Sequence, residues 1–295
     1  MNQEPVSQMP AVAHRMTCLI GTYNESARLP DFLRHATQWA DEIVIVDKGS
    51  TDNTAEIASG FSKVKFHTVP FTPQGHEDKL EQFIFCSNDW VFLMTPGEVP
   101  TRELIAKVKA TIAESGDSVD IITVPKKLYS FGIHNPASPW SIGQQPFVVN
   151  RNRAVISNHV HRNFSLRPGG KLIHIPYSES CHVYHPTHAT VKSFLRSHFD
   201  YIMAEVDGCE NPDALLAEAQ QQIVGNQFRD QTGQMPPELF GQSCAWKLYW
   251  LGCMLAAWEK KQQQPVPEIY RAETQRRIAR EWGGNGSVDK PPLVS

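Results

Sequence analysis

The stretch Asp41–Thr54, DEIVIVDKGSTDNT, decides the fold. Ile43, Val44, Ile45 and Val46 are four consecutive β-branched residues without polar alternation, the pattern of a strand covered on both faces, as in a parallel sheet flanked by helices. Asp47 ends that strand, Gly49 allows a tight turn, and Ser50 or Asp52 is placed to cap the helix that follows. In open α/β sheets ligands bind outside the carboxyl ends of the strands. Asp47 therefore stands where an acid can accept hydrogen bonds from a base or a ribose.

Outward from this unit the same alternation recurs. Met16–Thr22 reads as a first strand, and Ala27–Trp39 as a helix with Leu29, Phe32, Leu33, Ala36 and Ala40 at helical spacing. A helix over Asp52–Gly60, a strand over Val64–His67 and a Pro- and Gly-containing loop, Pro70–Gly75, come next. Glu77–Cys86 reads as a helix, Trp90–Met94 as a fourth buried strand, Thr101–Ala113 as a helix and Asp120–Pro125 as a strand. From Leu128 to Ile175 the text breaks into short β-like pieces. After His185 it turns helical, over Thr187–Val206, Pro212–Phe228, Ser243–Lys261 and Pro267–Trp282. The expected organisation is a tail over 1–15, an α/β domain over 16–186 with a mostly parallel, helix-flanked sheet, a helical subdomain over 187–282 and a tail over 283–295.

Composition sets outer limits. The 295 residues, 41% apolar and 20% charged, are ordinary globular material, and a net charge of -3 argues against holding nucleic acid by bulk electrostatics. Six scattered cysteines with no C-x-x-C pair read as buried free thiols in a reducing compartment. The first fifteen residues hold no apolar core of a secretory signal, and the longest apolar run, Ala245–Trp258, is interrupted by Lys247 and too short to span a bilayer. A soluble cytoplasmic protein without a transmembrane segment is the expectation.

With the first strand added, TCLIGTYNE (Thr17–Glu25) followed by WADEIVIVDKGSTDNT resembles the opening of inverting family 2 glycosyltransferases of the GT-A (Rossmann-like) fold. The nearest subgroup extends lipopolysaccharide cores and similar glycans. The resemblance runs from about Met16 to about Ala204 and is strongest before Pro100. It implies transfer of a sugar with inversion from a nucleotide sugar, uridine-linked, to an acceptor that is a glycan, a lipid-linked glycan, a protein or a modified nucleobase.

The resemblance places Thr22, Tyr23, Asn24 and Glu25 along the nucleotide, with Asp47 on uracil or ribose and Gly49 in the turn beside it. A hydroxyl, an aromatic face and an amide at a strand's carboxyl end suit a base. The other reading of this segment is a helix-entry loop with Asn24 or Ser26 as its cap. Lys48 stands where the family usually has a second acid. Lys79 matches a lysine that reaches a phosphate, or is a solvated residue on an amphipathic helix. The largest departure follows the fourth strand. The family's D-x-D-E, which holds manganese or magnesium on the donor diphosphate, is here Thr95-Pro96-Gly97-Glu98. Thr95 and Gly97 are the corresponding donor-site positions, but hard cations want carboxylate oxygens, and only Glu98 survives. Arg151, Arg153, Arg162 and Lys79 are candidates to neutralise the diphosphate instead.

Seven of the twelve histidines lie between His159 and His198. The spacing of His182, His185 and His188 by three suits one face of a helix. The resemblance gives His185 the metal or diphosphate contact, with capping of the following helix as the alternative. An inverting enzyme also needs a base for the acceptor hydroxyl. The subgroup's V-H-E is here Val160-His161-Arg162, so His161 or Glu98 is the candidate, and Glu179 the third. Trp140, Tyr129, Phe131 and Phe147 are available as a sugar-stacking platform or as core. Trp246, Tyr249, Trp250 and Trp258 read as bundle core or as a face for a membrane or partner. Two further readings stay open: a catalytically silent nucleotide-binding scaffold, which the lost D-x-D favours, and a metal-binding regulator built on the histidines.

Overall fold

In the computed structural model, which describes residues 14–71, 82–115, 118–156, 164–188, 190–225, 228–261 and 266–282, the deciding stretch forms β2 (Glu42–Asp47) with every residue buried. Ile43 and Ile45 enter one hydrophobic cluster, with Leu29, Phe32 and Leu104, while Val44 and Val46 enter a second, with Phe83, Cys86 and Phe164. The unbroken apolar run thus serves two cores, one on each face of the sheet. β1 (Met16–Thr22) pairs with β2 on one side and β4 (Trp90–Met94) on the other, both in parallel, and β3 (Val64–Thr68) extends the sheet beyond β2. The order β3-β2-β1-β4 reverses direction at β1. That reversal opens a crevice at the carboxyl ends of β1 and β4.

The remaining strands are β5 (Val99–Pro100), β6 (Ile121–Ser130), β7 (Ile142–Asn150), β8 (Val155–Ile156), β9 (Phe164–Ser165), β10 (Leu172–His174) and β11 (Val183–Thr187). β7 lies antiparallel between β4 and β6, β11 runs parallel to β6, and β5 closes the edge against β11. The nine-stranded sheet is therefore mostly parallel, as expected, with β7 and β5 the two strands that run against the rest. β6 continues past the expected end at Pro125 to Ser130, because its far half pairs with β11 on one side and β7 on the other. It projects beyond the carboxyl edge and forms a wall of the crevice.

α1 (Leu29–Ala36) is shorter than expected, because Gln38 and Trp39 bond back to His35 and Ala36 in tight turns. α2 (Thr54–Ser59) starts after Asn53, which makes no side-chain cap; Asp52 Oδ1 accepts from Thr54 N (3.1 Å) and Thr54 Oγ1 (2.5 Å) at the helix start, whereas Ser50 bonds to Asp47. α3 spans Arg102–Ser115. The helix expected from Thr187 instead begins as α4 (Val191–Asp207), where Thr190 and Ser193 form a reciprocal capping box. Pro186 and Thr187 belong to β11, so His185 sits in a strand and caps no helix. α5 (Pro212–Val224), α6 (Phe240–Lys261) and α7 (Val266–Trp282) follow. Residues 1–13 and 283–295, and the first half (77–81) of the expected Glu77–Cys86 helix, lie outside the described residues.

The six cysteines are free, and Cys18, Cys86, Cys181 and Cys253 are buried. Among the described residues no helix is long and apolar enough to cross a membrane. Trp246 and Trp250 meet edge to face with ring centres 6.0 Å apart, whereas Trp258 is 53% exposed.

α4 and α6 pack side by side, crossing where Ile202 leaves no room for a Cβ on Gly252. Lys260 holds their far ends together: its ammonium donates to the carbonyls of Val206 (2.6 Å), Asp207 (3.2 Å) and Cys209 (2.8 Å), at the carboxyl end of α4 where the helix dipole favours a cation. Lys260→Met should cost about 1 kcal/mol and lower the melting temperature by about 2–4 °C. An unchanged thermal melt would remove this role.

Candidate active site

Two loops line the crevice, and side chains that seemed free to meet a ligand are what join them. Asp47 is 2% exposed. Its carboxylate accepts from Thr22 Oγ1 (2.8 Å), Gly49 N (3.0 Å), Ser50 N (2.7 Å) and Ser50 Oγ (2.5 Å), which fills its four lone-pair directions. The Lys48 N–H donates to the Thr22 carbonyl at 2.9 Å, and the Lys48 side chain is buried. Asn24, in the left-handed region at φ 55°, donates its N–H to Ser50 Oγ and accepts from Thr51 N, both at 2.8 Å. Glu25 N donates to Thr54 Oγ1 and Ser26 N to Asp52. Gly49, at φ 78°, permits the turn. In this arrangement Asp47 and Asn24 set the shape of the site. Tyr23 stays 47% exposed and meets Phe71, 56% exposed, with ring centres 4.7 Å apart.

The Thr95–Glu98 segment is a tight turn. Glu98 N donates to the Thr95 carbonyl at 3.1 Å, Pro96 takes the second position, and Gly97 takes the third at φ 102°. Pro-Gly at these positions is the signature of a type II turn, whose third residue needs positive φ. An aspartate at 97 would be strained in it. Beside Gly97 lies Arg28, whose Nε and Nη2 grip both carboxylate oxygens of Glu25 at 2.8 and 2.5 Å.

Beneath the turn Glu98 is 1% exposed. Its carboxylate accepts from Thr95 N at 2.8 Å, pairs with the ammonium of Lys126, and has His185 Nδ1 at 2.5 Å. Burial alone would raise its pKa, but the Lys126 charge and His185 hold it well below the carboxylate range. Lys126, on β6, lies 3.9 Å from the Phe147 ring centre, and burial pushes its pKa down. A carboxylate so stabilised in its ionised form is a poor general base, so Glu98 does not suit that role.

The expected metal does not fit this donor set. Thr95 and Gly97 bring no carboxylate, Glu98 already faces an ammonium, and His185, expected on the metal, is turned to Glu98. Among the described residues no group of three or more His, Cys, Asp or Glu side chains is arranged to hold a metal ion.

The other candidates are dispersed. Arg151 donates to the Phe83 carbonyl, and Arg153 to Asp120 at 2.6 Å, at the end of the sheet where β4 begins, away from the crevice. Glu179 is held by Lys127 and Tyr177. His182 Nδ1 contacts the Ser178 carbonyl, and His188 lies among Phe131, Trp140 and Phe194, where burial lowers its pKa to about 4. These histidines share no helix face. Phe131 and Trp140 bind β6 and β7 to α4, Tyr129 meets Tyr184, and Phe147 lies under Lys126. Lys79, His161 and Arg162 lie outside the described residues. Arg28, Phe71 and Lys126 were missed; the Glu25/Arg28 spacing of three was the one local signal for any of them.

Lys126→Met, which strands the buried Glu98 charge, should destabilise by about 3–5 kcal/mol, and Lys126→Met/Glu98→Gln by clearly less, as read by denaturant unfolding. Because the fold depresses the Glu98 pKa, its contribution is whole above the ordinary value of 4.5 and is lost as pH falls below it. Acid unfolding of Glu98→Gln should show less of that loss. Gly97→Asp should cost about 1–3 kcal/mol in backbone strain; a variant as stable as the parent would refute the turn assignment.

The "Glycosyl transferase family 2" model matches residues 17–169, just over half of the chain and ending short of the expected limit near Ala204. An "Uncharacterized glycosyltransferase" of Rickettsia bellii (strain RML369-C) is 28% identical over 99 residues, 34% of this chain, and the match spans about a third (33%) of that relative. Among solved structures, S. aureus TarS aligns at 13% identity and a TM-score of 0.42 over 76% of this chain and 46% of that one. TarS 1-349 in complex with UDP aligns at 11% and 0.40 over 85% and 92%. On the family match, the chain belongs to glycosyl transferase family 2.

Proposed function

We propose that this protein transfers a sugar from a nucleoside diphosphate sugar, with uracil as the base, to an acceptor hydroxyl with inversion and without the D-x-D metal. The observation that carries the reading is the crevice at the sheet's reversal point, bordered by the exposed pair Tyr23 and Phe71 on one side and by the Thr95–Glu98 turn with Arg28 on the other. The base stacks on the aromatic pair, and the diphosphate runs toward the turn. The acceptor oxygen bonds to the anomeric carbon as the bond to the diphosphate breaks. The bonding pair leaves with the diphosphate, and the hydroxyl proton passes to His161.

The acceptor side extends along β6. From Lys126 to Phe131 the chain spans about 16 Å and reaches a cavity of about 530 Å³ lined by Phe131, Ile133, Val191, Phe194, Phe240 and Leu248. An acceptor with an apolar portion suits this lining.

Isothermal titration with nucleosides and nucleoside diphosphates, with EDTA and with manganese, tests the donor, and turnover of UDP-sugars tests the chemistry. Tyr23→Ala and Phe71→Ala should each weaken nucleotide binding by about 1–3 kcal/mol. His161→Ala should lower kcat while leaving donor affinity in place. Tight nucleotide binding without hydrolysis or transfer of any UDP-sugar would favour the silent scaffold.

A further inference from the structure

We propose that the Arg28 guanidinium is the cation that receives the donor's diphosphate, in the place where the family pattern has its second metal-binding acid; this rests on the nucleotide-sugar reading above. A Cβ built on Gly97 would lie 3.5 Å from Arg28 Nη1 and 3.6 Å from its Cδ, so the arginine flanks the space that a side chain at 97 would enter. Its orientation is held from behind. Nε and Nη2 make a two-pronged contact with Glu25, whose side chain is 16% exposed, and Nη1 is the nitrogen facing the turn. The Arg28 side chain itself is 54% exposed, so a ligand in the crevice can reach it.

Three features agree with this role. A guanidinium presents planar paired donors that match phosphate oxygens. Gly97 gives it room, whereas an acid there would be strained by φ 102° and would compete for the guanidinium. The buried carboxylate of Glu98 is already paired with Lys126, so the turn brings no uncompensated negative charge toward a diphosphate. Arg28 also belongs to the segment entering α1, which the loop hydrogen bonds from Glu25 to Thr54 and from Ser26 to Asp52 fix beside the nucleotide side.

The test is calorimetric binding of uridine, UMP, UDP and inorganic pyrophosphate in EDTA and in manganese, to the parent and to Arg28→Met, Arg28→Lys and Glu25→Gln, each first checked for an unchanged thermal melt. The parent should bind UDP in EDTA, and more tightly than uridine. Arg28→Met should lose about ten- to a hundredfold in UDP affinity with uridine affinity unchanged. Arg28→Lys should recover part of the loss, and Glu25→Gln should weaken UDP less than Arg28→Met does. UDP binding that appears only with manganese overturns the inference and leaves the nucleotide-sugar reading intact. An equal loss for uridine and UDP in Arg28→Met assigns the arginine to the loop and also overturns it. Failure of the parent to bind any of the four probes under either condition removes the donor reading and this inference with it.

Discussion

Glu98 is a carboxylate buried to 1% exposure at the centre of the molecule, and a charge so placed must be surrounded by donors or the fold cannot keep it ionised. Its partners come from different strands: Lys126 from β6, His185 from β11 and the Thr95 amide from the end of β4. One side chain thus ties the parallel half of the sheet to the mixed half. The turn above it and the register of β6 against β11 are set together. Replacing a single partner leaves the charge buried, which is why this cluster is more demanding than the apolar packing around it.

The same logic governs the loops after β1 and β2. Asp47 fills its lone pairs with Thr22, Gly49 and Ser50, and Asn24 bridges to Ser50 and Thr51. Two loops from neighbouring strands become one rigid rim. What projects from that rim is a small set, Tyr23 with Phe71 and Arg28 with Glu25, an aromatic surface and a held cation.

Several features of this arrangement were legible in the residues alone. The β-branched run at 43–46 specified a strand buried on both faces, Trp90–Met94 matched its strand end for end, and Asp47 and the Thr95–Glu98 segment fell at strand carboxyl ends. Other readings failed for identifiable reasons. Pro186 and Thr187 looked like a helix start, but strand pairing of β11 with β6 outweighs that local preference, and the capping box waits until Thr190. The histidines spaced by three were read on a helix period, whereas they occupy a strand and the loops on either side of it. Arg151 and Arg153 were grouped with the diphosphate by charge alone, and the antiparallel return of β7 carries them to the opposite edge.

By itself the sequence determined the α/β class, the order of the first four strands' elements, the position of the candidate site at their carboxyl ends and the absence of acids at 95 and 97, because hydrophobic period and motif spacing are local properties of the chain. Only the tertiary structure decided that Lys126 and His185 converge on Glu98, that Arg28 stands against Gly97 and that Phe71 meets Tyr23. Those contacts join residues from 28 to 87 positions apart in the first case, 69 in the second and 48 in the third, and such neighbours are set by strand register and loop closure, which no local pattern encodes.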